Sequence, residues 1–201
     1  MVLDEVLPKE EISSGITVFH VNDANYAAAC EFTAQQYKDR FCCELTSFYP
    51  TILTSIEENE IQSVVGLRSA GDEPLFLEQY LDTSIEATLA EKSGICPARG
   101  EIVEIGGFAA RNQATALVLM QEMTEILLSM HFRTAVCTAN RPIRCCLTKL
   151  RLPTHRIAEV DNPSVETQRN WGSYYESGPT IIYAHLDRCA TALDKIRCIG
   201  A

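Results

Sequence analysis

The chain lacks features that would place it in several large functional classes. Its 201 residues contain no run of Lys and Arg, no C-x-x-C pair, no Pro/Ser-rich linker, no internal repeat and only one tryptophan. Without a basic patch, and with a formal net charge of −10, the surface offers nothing to nucleic acid or anionic lipid, and nucleic-acid binding is excluded. The longest apolar stretch, "ATALVLMQEM", is broken by Gln121 and Glu122 and falls short of the roughly 18 apolar residues of a membrane span. The polar, acidic segment 1–15, "MVLDEVLPKEEISSG", has no apolar signal core, which predicts a cytoplasmic protein. The nine cysteines are odd in number, and two pairs (42/43 and 145/146) are adjacent. That spacing argues against a disulfide framework or a metal site, and predicts reduced, mostly buried thiols.

What is present is ordinary for a globular protein: 46% hydrophobic and 22% charged residues, enough for one domain over 16–201. "GITVFHV" reads as a first strand, and "NDANYAAACEFTAQQYKDRF" as a helix capped by Asn22 or Asp23. "PTILTSIEENEIQSVVGLRSA" reads as a hairpin turning at Glu58-Asn59-Glu60. "EPLFLEQYLDTSIEATLAEKSG" gives one or two short helices stopped by Gly94. Residues 99–142 then read as a strand (about 101–110), a long apolar helix (about 112–130) and a second strand (about 133–138). A short helix at "RPIRCCLTKLRL", a polar aromatic loop, the strand "TIIYAHL" and a last helix complete the chain. Antiparallel strands followed by strand–helix–strand predict a mixed α/β (α+β) domain, a central mixed sheet flanked by helices.

Within 99–142, Arg111 and the small residues Ala114 and Ala116 stand where a strand gives way to a helix. Backbone N–H groups at a helix start form an anion site, and small residues let an anion approach. The form R-x-x-A-x-A resembles the R/Q-x-x-G-x-G/A pyrophosphate loop of the GNAT acyltransferases, with Ala114 in place of the usual glycine. The resemblance implies that Arg111, with the amides of Ala114, Thr115 and Ala116, holds the phosphate of coenzyme A or a related carrier. It also implies that the strand at Phe108, Ala109 and Ala110 holds the pantetheine arm, while Asn140, after the second strand, either binds that arm or caps the helix that follows. The preceding "EIVEIGGFAAR" resembles the E-x-S-R-F pattern of acyl-homoserine-lactone synthases: Glu104 and Phe108 match its ends, while Gly106 and Gly107 replace Ser and Arg. Glycines inside a strand mark a bulge or a close backbone approach.

Glu104, a strand carboxylate, is either the group that takes a proton from an amine or a structural partner, for instance of Arg99. The GNAT general-acid tyrosine has Leu147 at its place. Trp171, Tyr174 and Tyr175, aromatics with polar handles, suit either a pocket for an acyl chain or amine head group, or an anchor for the last strand. Arg144, Lys149 and Arg151 read as a solvated helix face. Cys145 and Cys146 have no nearby histidine that would make either a nucleophile.

Several collinear stretches, "LFLEQYLD", "RGEIVEIGGFA", "FRTAVCTANRPIR", "HRIAEVDNP" and "NWGSYYESGPTIIYAHL", resemble the thermostable hemolysin family over about residues 16–186. That resemblance implies a GNAT-like fold and N-acyl transfer from an acyl-CoA or acyl-carrier-protein thioester to a small amine such as an amino acid. Arg99, Trp171, Tyr174 and Tyr175 would contact the amine substrate, Glu104 would be the catalytic residue, and no metal or permanently bound cofactor is implied. Two alternatives stay open: a toxin that lyses membranes directly, and a non-catalytic acyl-carrier-binding protein.

Overall fold

The computed structural model describes residues 11–12, 15–160 and 171–200. Eight strands form one sheet: β1 (Glu11–Ile12), β2 (Ile16–His20), β3 (Thr51–Glu57), β4 (Glu60–Ser69), β5 (Ile102–Ala110), β6 (Thr134–Ala139), β7 (His155–Glu159) and β8 (Thr180–His185). Their spatial order is β1-β2-β3-β4-β5-β6-β8-β7, and every pairing is antiparallel except β5 with β6. The helices are α1 (Tyr26–Phe41), α2 (Ile85–Ser93), α3 (Gln113–Ser129), α4 (Arg141–Lys149) and α5 (Leu186–Gly200). Part of the family stretch "HRIAEVDNP" and of the aromatic loop, 161–170, lies outside the described residues.

Local chemistry explains most of these boundaries. The β3–β4 hairpin closes on Glu58 and Asn59, both at positive φ (50° and 62°), the geometry that matches the strands' right-handed twist. In α3 the Asn112 side chain accepts from the Thr115 amide at 3.0 Å and the Thr115 hydroxyl accepts from the Asn112 amide at 3.4 Å, a reciprocal cap. Asn140 caps α4 through the Ile143 amide at 3.1 Å, with Pro142 in the first turn. Gly94 ends α2 at φ 70°. The sequence prediction misplaced the cap of α1. Its N-cap is Asn25, and Asp23 instead accepts from the His20 amide at 2.6 Å, tightening the turn before the helix.

Hydrophobic residues divide the sheet into two buried faces. Val103, Leu53 and Val65 pack with Leu119, Met123 and Leu127 of α3 and with Leu193 of α5. On the other face Ile102, Val136 and Ile181 meet Leu77 and Leu89, and Phe19, Ile52 and Val64 meet Ala29 and Cys30 of α1. At about 25 cal/mol per Å² of apolar area buried, these faces are the main source of stability.

One irregularity matters more than the rest. Val64 pairs with Ala109 and Gly66 with Gly106, so Gly107 and Phe108 together oppose Val65. This bulge on β5 uses Gly107 at φ +57°, a conformation costly for any side chain. The parallel pairing of β5 with β6 covers only Ile102–Ile105 against Thr134–Cys137. Beyond that point the two central strands part.

Candidate active site

Three cavities meet where β5 and β6 separate. An outer cleft of about 570 Å³ is lined by Phe108, Ala109 and Ala110 of β5, by Arg40 of α1, and by the first turns of α3 and α4. An inner, largely apolar pocket of about 90 Å³ lies between Met120 and Met123 of α3, Leu147 of α4, and Ala135 and Cys137 of β6. A third, aromatic pocket is walled by Tyr49, Phe76, Trp171, Tyr174 and Tyr175. The inner and aromatic pockets share Ile105, Gly106, Gly107, Thr138, Tyr37 and Tyr174, so they adjoin at the bulge.

Phe108, Ala109, Ala110, Ala116 and Asn140 all line the outer cleft. At the start of α3, the Thr115 amide is held by Asn112 Oδ1 and the Ala116 amide by the Asn112 carbonyl at 3.2 Å. Among the described residues, Gln113 and Ala114 keep the open amide donors of that turn. Arg111 points away from the cleft. Its Nε donates to the Ile61 carbonyl at 2.7 Å, its guanidinium pairs with Glu60 at 3.3 Å, and it lies over the Phe32 ring. The cations at the cleft are instead Arg40, which donates to the Ala110 carbonyl at 2.6 Å, and the exposed Arg141. Sequence spacing missed both, because neither belongs to the strand–turn–helix motif.

Glu104 is 1% exposed. Its carboxylate accepts from the Phe76 amide at 2.7 Å and the Leu77 amide at 3.1 Å. Burial nonetheless pushes its pKa up to about 7, against the opposing pull of those amides, the Arg68 charge and a hydrogen bond from Tyr49. A carboxyl group near neutrality can exchange a proton at physiological pH. Arg99 is not its partner. The Arg99 guanidinium binds Glu78 at 2.8 and 2.9 Å and Glu86 at 2.8 Å, and donates to the Ala70 carbonyl at 2.7 Å. It lines none of the three cavities.

Trp171, Tyr174 and Tyr175 do converge. Tyr174 donates to the Thr138 carbonyl at 3.0 Å, the Tyr175 and Tyr80 hydroxyls lie 2.6 Å apart, and Trp171 packs on Phe76 with ring centroids 5.8 Å apart. The cluster therefore anchors the segment before β8 and forms the pocket wall with the same atoms. Leu147 presents an aliphatic chain, and no hydroxyl, to the inner pocket. Arg144 is not solvated as its helix face suggested, because it donates to the Ala139 carbonyl at 2.6 Å and the Gly178 carbonyl at 3.0 Å. No cysteine among the described residues forms a disulfide, but Cys42, Cys96, Cys145 and Cys198 are exposed, so burial is less general than composition suggested. Burial raises the thiol pKa values of Cys30, Cys43, Cys137 and Cys189, the opposite of what a nucleophile needs.

A mixed sheet whose central parallel pair splays at a bulge, with a helix starting beside the gap, is the GNAT-like acyltransferase fold, and solved structures of that class superpose on this chain. The acyl-homoserine-lactone synthase LasI is 13% identical, with a TM-score of 0.62 over 89% of this chain and 93% of its own. BjaI, a CoA-dependent acyl-homoserine lactone synthase solved with SAM and isopentyl-CoA, is 15% identical, with a TM-score of 0.59 over 90% and 88%. FeeM, an N-acyl amino acid synthase from uncultured soil microbes, is 13% identical, with a TM-score of 0.56 over 88% and 98%. No curated protein matches the sequence. The family model described as thermostable hemolysin matches residues 19–190, and the chain belongs to that family. Among the described residues no helix is long and apolar enough to cross a membrane.

Proposed function

We propose that this protein is an N-acyltransferase that moves an acyl group from a coenzyme A or acyl-carrier-protein thioester to a small amine, such as an amino acid. The observation that carries this reading is the junction of two pockets of different chemistry at the point where β5 and β6 part. The unpaired edge of Gly106–Ala110 can receive the pantetheine arm as an added strand. The donor's phosphate lies in the outer cleft, held by Arg40, Arg141 and the amides of Gln113 and Ala114. The acyl chain enters the inner pocket among Met120, Met123 and Leu147, and the amine enters the aromatic pocket against Trp171 and Tyr175.

In the reaction the amine nitrogen attacks the thioester carbonyl, the new C–N bond forms, and the C–S bond breaks. Glu104, ionised above about pH 7, is the base that takes up the amine's proton, which ends on the leaving sulfur. Holding thioester and amine at one junction supplies much of the acceleration, which makes the missing GNAT tyrosine tolerable. The lytic property named in the family's description is assigned to the product. An acylated amine is an amphiphile whose membrane affinity grows by about 0.8 kcal/mol per buried methylene.

The test combines purified protein with acyl-CoA or acyl-carrier protein and a panel of amines, with mass spectrometry as the readout. An acyl-amine should form, and Glu104→Gln should remain folded while losing about 10²-fold or more in rate. No product from either donor would sink the reading. Protein freed of lipid and donor should leave erythrocytes intact; lysis by that preparation would favour the direct toxin instead.

A further inference from the structure

Tyr49 is absent from every motif of the sequence, yet two strands are shaped around it. Gly66 and Gly106 are register partners across β4 and β5. A Cβ on Gly66 would stand 2.6 Å from the Tyr49 ring, and one on Gly106 would stand 1.9 Å from its hydroxyl oxygen. The ring is further held by the Arg68 guanidinium, 5.3 Å from its centroid, and its backbone carbonyl accepts from the Tyr26 hydroxyl at 2.7 Å. Pro50, next in sequence, restricts the backbone of Tyr49 to extended conformations. A slot that requires glycine in both strands fixes the place of one hydroxyl group.

That hydroxyl has two neighbours of consequence. Tyr49 lines the aromatic pocket, which Glu104 does not reach, and its hydroxyl sits against Gly106, two residues along β5 from Glu104 on the same face of the strand. Glu104 itself is 1% exposed, with both oxygens occupied by backbone amides. A base enclosed in this way cannot touch an amine in the pocket.

Resting on the acyltransferase reading above, we propose that Tyr49 is a catalytic residue, a hydroxyl relay that carries the amine's proton to Glu104. As the nitrogen attacks the carbonyl, its N–H proton passes to Tyr49 Oη while the Tyr49 proton passes to the Glu104 carboxylate. The C–N bond forms, the C–S bond breaks, and Glu104 returns its proton through the same hydroxyl to the leaving sulfur. The products are an amide and a thiol, and no oxidant or reductant is needed. Burial holds the Tyr49 phenol well above its ordinary pKa, so it gives up one proton only as it gains another. The other titratable groups facing Glu104 are Arg68 from β4, Tyr80 from the Phe76–Tyr80 turn and Cys137 from β6. Of these only Arg68 is charged at neutral pH.

The experiment uses the full chain and its Tyr49→Phe variant, which keeps the ring in the slot and removes only the hydroxyl. Single-turnover acyl transfer from acyl-CoA or acyl-carrier protein is measured across pH, with the Glu104 carboxyl followed by carbon-13 NMR. The account expects the rate constant of Tyr49→Phe to fall about 10²-fold or more, with donor KM within about twofold. It also expects the Glu104 midpoint to move upward from about 7, because the carboxylate loses a hydrogen bond. In the wild type, a proton inventory in mixed light and heavy water should be curved, reporting two protons in flight whether or not the variant folds. An active wild type with a linear inventory, or a folded variant that keeps its rate within about threefold, overturns the relay alone. A wild type that transfers no acyl group from either donor overturns the acyltransferase reading and the relay with it.

Discussion

Two carboxylates grip the same short turn, Phe76–Tyr80, and differ in almost everything else. Glu78 accepts from the amides of Leu75 at 2.9 Å and Ile85 at 3.0 Å; Glu104 accepts from those of Phe76 at 2.7 Å and Leu77 at 3.1 Å. Each thus has two backbone donors. Yet Glu78 is lowered to about 2, chiefly by its hydrogen bond to Arg99, while burial raises Glu104 to about 7. The amides are common to both, so they cannot be what separates them. A guanidinium in contact fixes one carboxylate as a permanent anion, and the absence of any such contact leaves the other able to change charge. The first is a structural brace, and the second is the base of the proposed reaction.

The sharpest way to break the contrast is to remove the brace. Arg99→Ala leaves Glu78 and Glu86 facing each other, partly buried, without their cation. Allowing for partial solvent screening, the cost should be about 2–3 kcal/mol, seen as a fall in melting temperature of roughly 5–10 °C. Acyl transfer per folded molecule should stay unchanged, because Arg99 lines no cavity of the site.

Gly106→Ala attacks the other carboxylate's surroundings. The added methyl must displace the Tyr49 hydroxyl from 1.9 Å, at a cost of about 1–3 kcal/mol in urea denaturation. Here, unlike Arg99→Ala, activity should fall with stability. A variant that stayed as active as wild type would show that the slot tolerates a shifted hydroxyl.

The pH dependence of stability should carry opposite signs from the two groups. Glu78, depressed in the folded state, contributes stability that is present above about 4.5 and is lost as pH falls towards 2. Glu104, raised in the folded state, contributes stability below about 4.5 that is lost as pH rises through about 7. Each contribution should be at most about 3 kcal/mol, at about 1.4 kcal/mol per pH unit between folded and unfolded values, and urea midpoints at pH 3, 5 and 8 separate them. The smallest effect belongs to Arg111. Its partners are Glu60 and the Ile61 carbonyl at the hairpin, so Arg111→Ala should change donor affinity by less than about twofold in calorimetry.

Much of this architecture was legible in the sequence. The β5–α3–β6 unit, the turn at Glu58-Asn59 and the stop at Gly94 follow from local periodicity and turn chemistry, which a single segment carries within itself. Glu104 and the aromatic trio were legible as chemistry, because a carboxylate in an apolar strand and clustered aromatics are unusual residues for their places. The sequence pointed to Arg99 and Arg111 as site cations, and the structure engages both elsewhere for one physical reason: an arginine's contacts depend on which carboxylates fold against it. Glu78 lies 21 residues from Arg99, and Glu60 approaches Arg111 only through the β4–β5 pairing. Tyr49 was missed because it comes from an irregular segment. The available signal was indirect: Gly66 and Gly106 interrupt two strands, and paired interior glycines call for a ring from elsewhere to fill the gap.

One turn holds a resting anion and, in the proposed reaction, a working base, and a carboxyl carbon-13 titration of the intact protein separates the two. Glu78 and Glu104 are observed together as pH is varied. The account predicts that Glu104 titrates near 7 while Glu78 stays ionised until the pH approaches 2. Two midpoints close to the ordinary glutamate value of about 4.3 would contradict it.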